Sequence, residues 1–169
     1  MSKNENSADK ADELLQAVTP QQVADAIRNA GCAVHTTEKD GVTWLHSASH
    51  GIGFQVLWGN LVGEGRFADL TLSCPLRVQG GSLPDGILND WHRTKRFARV
   101  VKHGDFIVLE MDVVAVGGVS VAHLQLSMQL WTQMMGQFFL YLRNYKAEDQ
   151  NAKDAVPSEA ETKTAEAAN

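Results

Sequence analysis

The chain has 169 residues, 44% of them apolar, and a formal charge of −5, which suits one globular domain with tails rather than a wholly disordered chain. The charge sits mostly at the ends. Residues 1–18 hold Lys3 and Lys10 against Glu5, Asp9, Asp12 and Glu13, and residues 146–169 hold three lysines against six acids, so the middle is near neutral. Such a middle has no global field to draw nucleic acid or an anionic membrane. The cysteines Cys32 and Cys74 fall in no paired motif, which fits a reducing compartment. Residues 1–12 are polar without an apolar core, so a signal peptide is not expected and a cytoplasmic location is.

In chain order, residues 1–17 read as a disordered tail, 18–145 as the domain and 146–169 as a second tail. The first helix is strongly signalled. Thr19 is its N-cap, Pro20 its first residue and Gln22 the capping-box partner. Val18 and Val23 occupy staple positions, Val23, Ala26, Ile27 and Ala30 form the buried stripe, and Gly31 is the stop.

Strands follow over residues 32–37 and 42–47, joined through Asp40-Gly41, and over 53–58. A Gly-rich connection leads to residues 67–74, where Ala68, Leu70, Leu72 and Cys74 alternate with Asp69, Thr71 and Ser73. Pro75 ends that strand or puts it at an edge. After Gly80-Gly81, a short helix is expected over residues 83–94.

The next hairpin is set by His103-Gly104 as its loop, with Lys102 facing Asp105, Val100 opposite Ile107 and Ala98 opposite Leu109. Ile107, Leu109, Met111 and Val113 then share an apolar face, with Arg99 diagonal to Glu110. Gly117-Gly118 breaks the strand, and Ser120 caps a helix running to about Tyr145. Val121, Leu124, Met128, Trp131, Met135, Phe138 and Leu142 mark its core stripe, widened by Leu130, Met134, Tyr141 and Tyr145 and backed by Gln125, Gln129, Gln133 and Gln137. Residues 113–142 contain no Asp, Glu, Lys or Arg, yet the glutamines, His123 and Gly136 argue against a membrane span. The apolar sector is wider than one sheet covers, so a second copy or another protein is the expected cover.

The second half resembles the YbjN family, labelled bacterial sensory transduction regulators. The resemblance rests on Leu88-Asn89-Asp90-Trp91, Arg96-Phe97-Ala98-Arg99, residues 106–112 and Gly117-Gly118-Val119-Ser120, and spans about Thr19 to Arg143. The chain departs at His92, where the family tends to carry Asn. The resemblance implies an α+β fold like that of type III secretion chaperones: an antiparallel sheet of five to six strands against an N-terminal helix, a short middle helix and a long C-terminal helix. It further implies a dimer that binds other proteins and catalyses nothing. On this reading Trp91, Arg96, Arg99, Leu130, Met134 and Tyr141 form the partner or dimer surface. Asn89, Trp91, Phe97, Asp112, Gly117 and Gly118 are structural, with Asn89 capping or bonding backbone.

Other chemistry is weaker. His46 and His50 have metal spacing only on a helix, and Cys32 with His35 supplies two ligands at most. Gly63-Glu64-Gly65-Arg66-Phe67-Ala68 fits a dinucleotide pattern, but a strand follows where that motif needs a helix. Asp90, His92 and Ser82 have the composition of a triad, but Asp90 and His92 diverge on a helix. Arg93, Lys95, Arg96, Arg99, Lys102 and His103 form a basic cluster that is the best case for nucleic acid, opposed by Glu110 and Asp112 alongside. The expected protein is therefore non-enzymatic, with a protein partner and no cofactor, metal, small-molecule substrate or membrane contact. The alternatives are a nucleic-acid-associated regulator using Arg93 to Lys102, and a metal-dependent or hydrolytic enzyme on His46, His50 or His92.

Overall fold

A computed structural model describes residues 14–78, 83, 84 and 86–154, with side chains as far as Tyr145. The expected loop at Gly80-Gly81, Ser82, residues 1–13 and residues 155–169 lie outside the described residues. The elements are α1 (Pro20–Asn29), β1 (Val34–Lys39), β2 (Val42–Ser49), β3 (Ile52–Trp58), β4 (Leu61–Gly63), β5 (Arg66–Phe67), β6 (Asp69–Arg77), α2 (Ile87–Thr94), β7 (Arg99–His103), β8 (Phe106–Val114) and α3 (Val121–Asp154). The fold is α+β: a six-stranded antiparallel sheet in the order β1-β2-β3-β6-β8-β7, with β4 and β5 pairing separately.

Local chemistry explains most of these elements. The Thr19 hydroxyl accepts from the Gln22 amide while the Gln22 side chain accepts from the Thr19 amide, closing the capping box of α1. The β1–β2 and β2–β3 turns, Asp40-Gly41 and His50-Gly51, hold both residues at positive φ, as a type I′ turn requires. His50 is thus a turn residue, a position that Asn, Asp and His tolerate best among non-glycines.

The core lies between one face of the sheet and the helices. Leu70, Leu72 and Cys74 of β6 and Ile107, Leu109, Met111 and Val113 of β8 meet Val23 and Ile27 of α1 and Leu124, Met128, Trp131, Met135 and Phe138 of α3. Alternation on β8 put the right residues inside. The hairpin register, however, is displaced from the expected one. Val100 faces Leu109, Lys102 faces Ile107, and the loop is Gly104-Asp105, with Gly104 at φ +55°. Glycine at the first loop position suits a type II′ turn, so the glycine rather than His103 selects the loop. The displacement is two residues, so every side chain keeps its face.

Other boundaries differ too. The strand expected over residues 67–74 breaks at Ala68, because Phe67 bonds to Val18 while the Ala68 carbonyl accepts from Ala115 and Val116. β6 then passes through Pro75, where its ladder with β3 has already ended at Ser73 and only β8 lies alongside. Helix α2 starts at Ile87 rather than at residue 83. At the ends, Leu15 pairs with Val119 and Ala17 is buried within the expected N-terminal tail, and α3 continues to Asp154 inside the expected C-terminal tail. Gly117 and Gly118 both have positive φ, and a Cβ on Gly118 would press on Gln16 and Leu14.

Two fully buried tryptophans differ in one bond. The Trp91 indole donates to the Ala98 carbonyl at 3.0 Å, whereas the buried Trp131 Nε1 has no hydrogen-bond partner. Replacing either with Phe loses ring area, but only at Trp91 does it also orphan a buried carbonyl, a loss of about 1–3 kcal/mol. Urea denaturation should show Trp91→Phe destabilising by about that much more than Trp131→Phe.

Candidate functional site

The family-like stretch, residues 87–112, folds into a single device at the β7 edge of the sheet. An edge strand leaves amides and carbonyls unpaired, and proteins commonly block them. Here α2 does so with adjacent residues. Trp91 Nε1 donates to the Ala98 carbonyl, and His92 Nε2 accepts from the Val100 amide at 2.9 Å. Trp91 is 0% exposed and packs edge-on against Phe138 at 5.1 Å, with Tyr141 at 5.4 Å. The Tyr141 hydroxyl donates to the Ile87 carbonyl, which ties α2 to α3. His92 makes this bond through its distal nitrogen, a reach that a Gln side-chain oxygen matches and the shorter Asn does not.

Beside this lock, Phe97 stands in an unusual state. Its backbone sits at φ +72°, and the residue is 61% exposed. Positive φ in a bulky residue is a genuine outlier. The Arg96 guanidinium lies over the ring, 5.0 Å from its centroid. With Met111, Leu126 and Leu130, Phe97 lines an open groove of about 570 Å³ between the β8 end of the sheet and α3. The rest of its wall is Asp112, His123, Ser127, Gln129 and Gln133, so Asp112 is its sole formally charged lining residue.

Asp112 is itself engaged. Arg99 bonds to Glu110 at 3.0 Å and to both oxygens of Asp112, and the Thr71 hydroxyl donates to Asp112 at 2.7 Å. The guanidinium holds the Asp112 carboxyl below its usual range and is itself made harder to deprotonate. Arg99 lies directly across from Glu110, not on the diagonal.

The remaining expected site residues separate cleanly. Met134 and Trp91 are 5% and 0% exposed and belong to the core, because the sheet and α2 cover a broader arc of α3 than the heptad-like stripe suggests. Leu130 lines the groove, Arg96 and Arg99 are exposed beside it, and Tyr141 is spent on α2. Asn89 is exposed on α2 and makes no side-chain hydrogen bond among the described residues, so it does not cap or bond backbone there. Sequence reasoning missed Leu126, which faces out where a charge-free helix hides which leucines are covered, and it filed Phe97 as merely structural.

The alternative chemistries do not assemble. Asp90 pairs with Arg93 at 2.9 Å, while His92 faces β7. His46 lies on β2 opposite His35 of β1, and His50 bonds to Ser49 in the turn. Among the described residues, no three His, Cys, Asp or Glu side chains converge on a possible metal position. Gly63 pairs with Arg66 in the β4–β5 hairpin, so no helix follows the Gly-rich pattern. Among the described residues, no helix is long and apolar enough to cross a membrane.

Edge lock, one-sided sheet and groove make up a small α+β domain. The chain belongs to the YbjN family: the family profile, described as "Putative bacterial sensory transduction regulator", matches residues 17–144. No curated protein matches the chain.

Burial pushes the Cys74 thiol up to about 11, while Cys32 is half-buried. A raised thiol pKa means that the unfolded chain loses this proton first, so the stability it contributes is full below the ordinary cysteine value and is lost as pH rises towards 11. Urea melts from pH 8 to 11 should show this decline in the wild type and a smaller one in Cys74→Ala.

His92→Gln, whose side-chain oxygen reaches about as far as Nε2, should keep the melting midpoint nearly unchanged. His92→Val, which leaves the Val100 amide without its acceptor, should cost about 1–2 kcal/mol in urea denaturation.

Proposed function

We propose that the protein is a non-catalytic regulator that works by holding another polypeptide against the face formed by Phe97, Leu126 and Leu130. The observation that carries this is Phe97. A turn that merely needed positive φ would be served at less strain by Gly or Asn. A bulky aromatic kept there, and left mostly in water, contributes nothing to the core. Its use lies outside the fold, in an apolar groove whose walls suit side chains of another chain. The amides of Gln129 and Gln133 supply donors and acceptors for a backbone laid along it. The two free thiols support a reducing compartment such as the cytoplasm.

The nucleic-acid reading is weaker on the same geometry. Arg93 is paired with Asp90, Arg99 with Glu110 and Asp112, and Arg96 stacks on Phe97. That leaves few cations of the cluster to neutralise phosphates.

A photo-crosslinking benzoylphenylalanine at position 126, placed in the full chain in cells, should give ultraviolet-dependent adducts to polypeptide. The same probe at Gln21, on the exposed side of α1, should not. Equal adducts at both positions, or none at position 126, would remove this reading.

A further inference from the structure

The two bonds that fasten α2 to the sheet edge differ in one respect. The Trp91 indole only donates and does not titrate in the physiological range, so its bond to the Ala98 carbonyl is indifferent to acid. The bond at His92 is not. A backbone amide can only donate, so Nε2 of His92 presents a lone pair to the Val100 amide, and the neutral ring carries its proton on Nδ1. A second proton has only Nε2 to occupy. The imidazolium that results has two donors and no acceptor, and it cannot keep the Val100 amide.

Solvent reaches the ring, because His92 is exposed. Its surroundings offer the added charge no partner. On α2, Asp90 is paired with Arg93 at 2.9 Å. The connection to β7 brings Lys95 and Arg96, and β7 brings Arg99, Lys102 and His103. Glu110 and Asp112 of β8 are held by Arg99, and α3 sets the rings of Phe138 and Tyr141 against Trp91 of α2. Among the described residues no carboxylate forms an ion pair with His92. This is also the position at which the chain departs from its family, and an Asn there has neither the reach nor a nitrogen that titrates.

Release at Val100 is felt at Phe97. With one of its two fastenings gone, α2 is left to pivot on the Trp91 bond. The slack falls in the connection of residues 95–98, where Phe97 stays at φ +72° only while both of its sides are fixed. The ring then no longer closes the groove beside Leu126 and Leu130.

We infer that His92 is a proton-operated latch. As pH falls through the imidazole range, about 6.5 for an unperturbed side chain, it lets go of the Val100 amide, loosens α2 from β7 and weakens the hold of the groove on a polypeptide. Only the last step rests on the reading that the Phe97 face holds a polypeptide. The unfolded chain makes no such bond and takes the proton freely, so the stability that the latch contributes is full above that range and is lost below it.

Nitrogen-15 spectra of the full chain at pH 7.5 should show the His92 ring protonated at Nδ1 alone, and a neutral ring protonated at Nε2 would overturn the latch. Between pH 7.5 and 5.5 the protection of the Val100 amide against hydrogen exchange should fall about tenfold in the wild type and hold in His92→Gln. Equal falls in both chains, or none in the wild type, would overturn the latch as well. For the groove, both chains with benzoylphenylalanine at position 126 are irradiated in permeabilised cells at the two pH values. The chain with His92 should lose most of its adducts at pH 5.5, and His92→Gln should keep them; equal losses would overturn control of the groove by His92. If no adducts form at either pH while the Val100 amide responds as expected, the latch stands and the polypeptide reading falls.

Discussion

The hydrogen bond from Trp91 to the Ala98 carbonyl is the constraint on which the working half of the molecule depends. It joins three things that sequence separates: the helix α2, the sheet edge at β7 and, through the ring contacts with Phe138 and Tyr141, the long helix α3. A buried indole needs an acceptor, and a sheet edge offers an unused carbonyl; each removes a cost carried by the other. The neighbouring His92 repeats this logic with the opposite polarity, accepting from the Val100 amide.

Locking the edge there has a consequence one residue earlier. Ala98 is held by α2 and Arg99 is held by Glu110 and Asp112, so the chain between them must turn sharply. Phe97 absorbs the turn at φ +72° and is pushed out into water over the groove. The strain is therefore maintained by bonds on both sides of it, the circumstance in which a functional residue can be kept in a poor backbone state. Arg96 shields one face of the ring and leaves the other to the groove.

Among the described residues, no three His, Cys, Asp or Glu side chains converge on a possible metal position. Some of the titratable groups are paired with one another, as Arg99 is with Asp112, or shielded, as Cys74 is by burial. Apolar side chains are left in water as well, Phe97, Leu126 and Leu140 among them. Unmatched apolar surface on a neutral helix is a driving force for association that salt does not screen.

The capping box of α1, the Asp-Gly turn and the inward face of β8 were all legible in the sequence, because each depends on residues a few positions apart. The family motif was legible as well, though not its meaning. That Trp91 is structural was legible, but that Met134 is core and Leu126 surface was not, because α3 carries no formal charge before Arg143 and sets leucines on several sides. Periodicity on such a helix reports that much of it is buried, but not by what. The hairpin register shows the same limit on a smaller scale: alternation determined which residues face inward, while the glycine's positive φ chose the loop and moved the pairing by two. Local chemistry sets elements and faces; which side of a uniform helix meets the sheet, and which is left for another molecule, is decided only when the elements pack together.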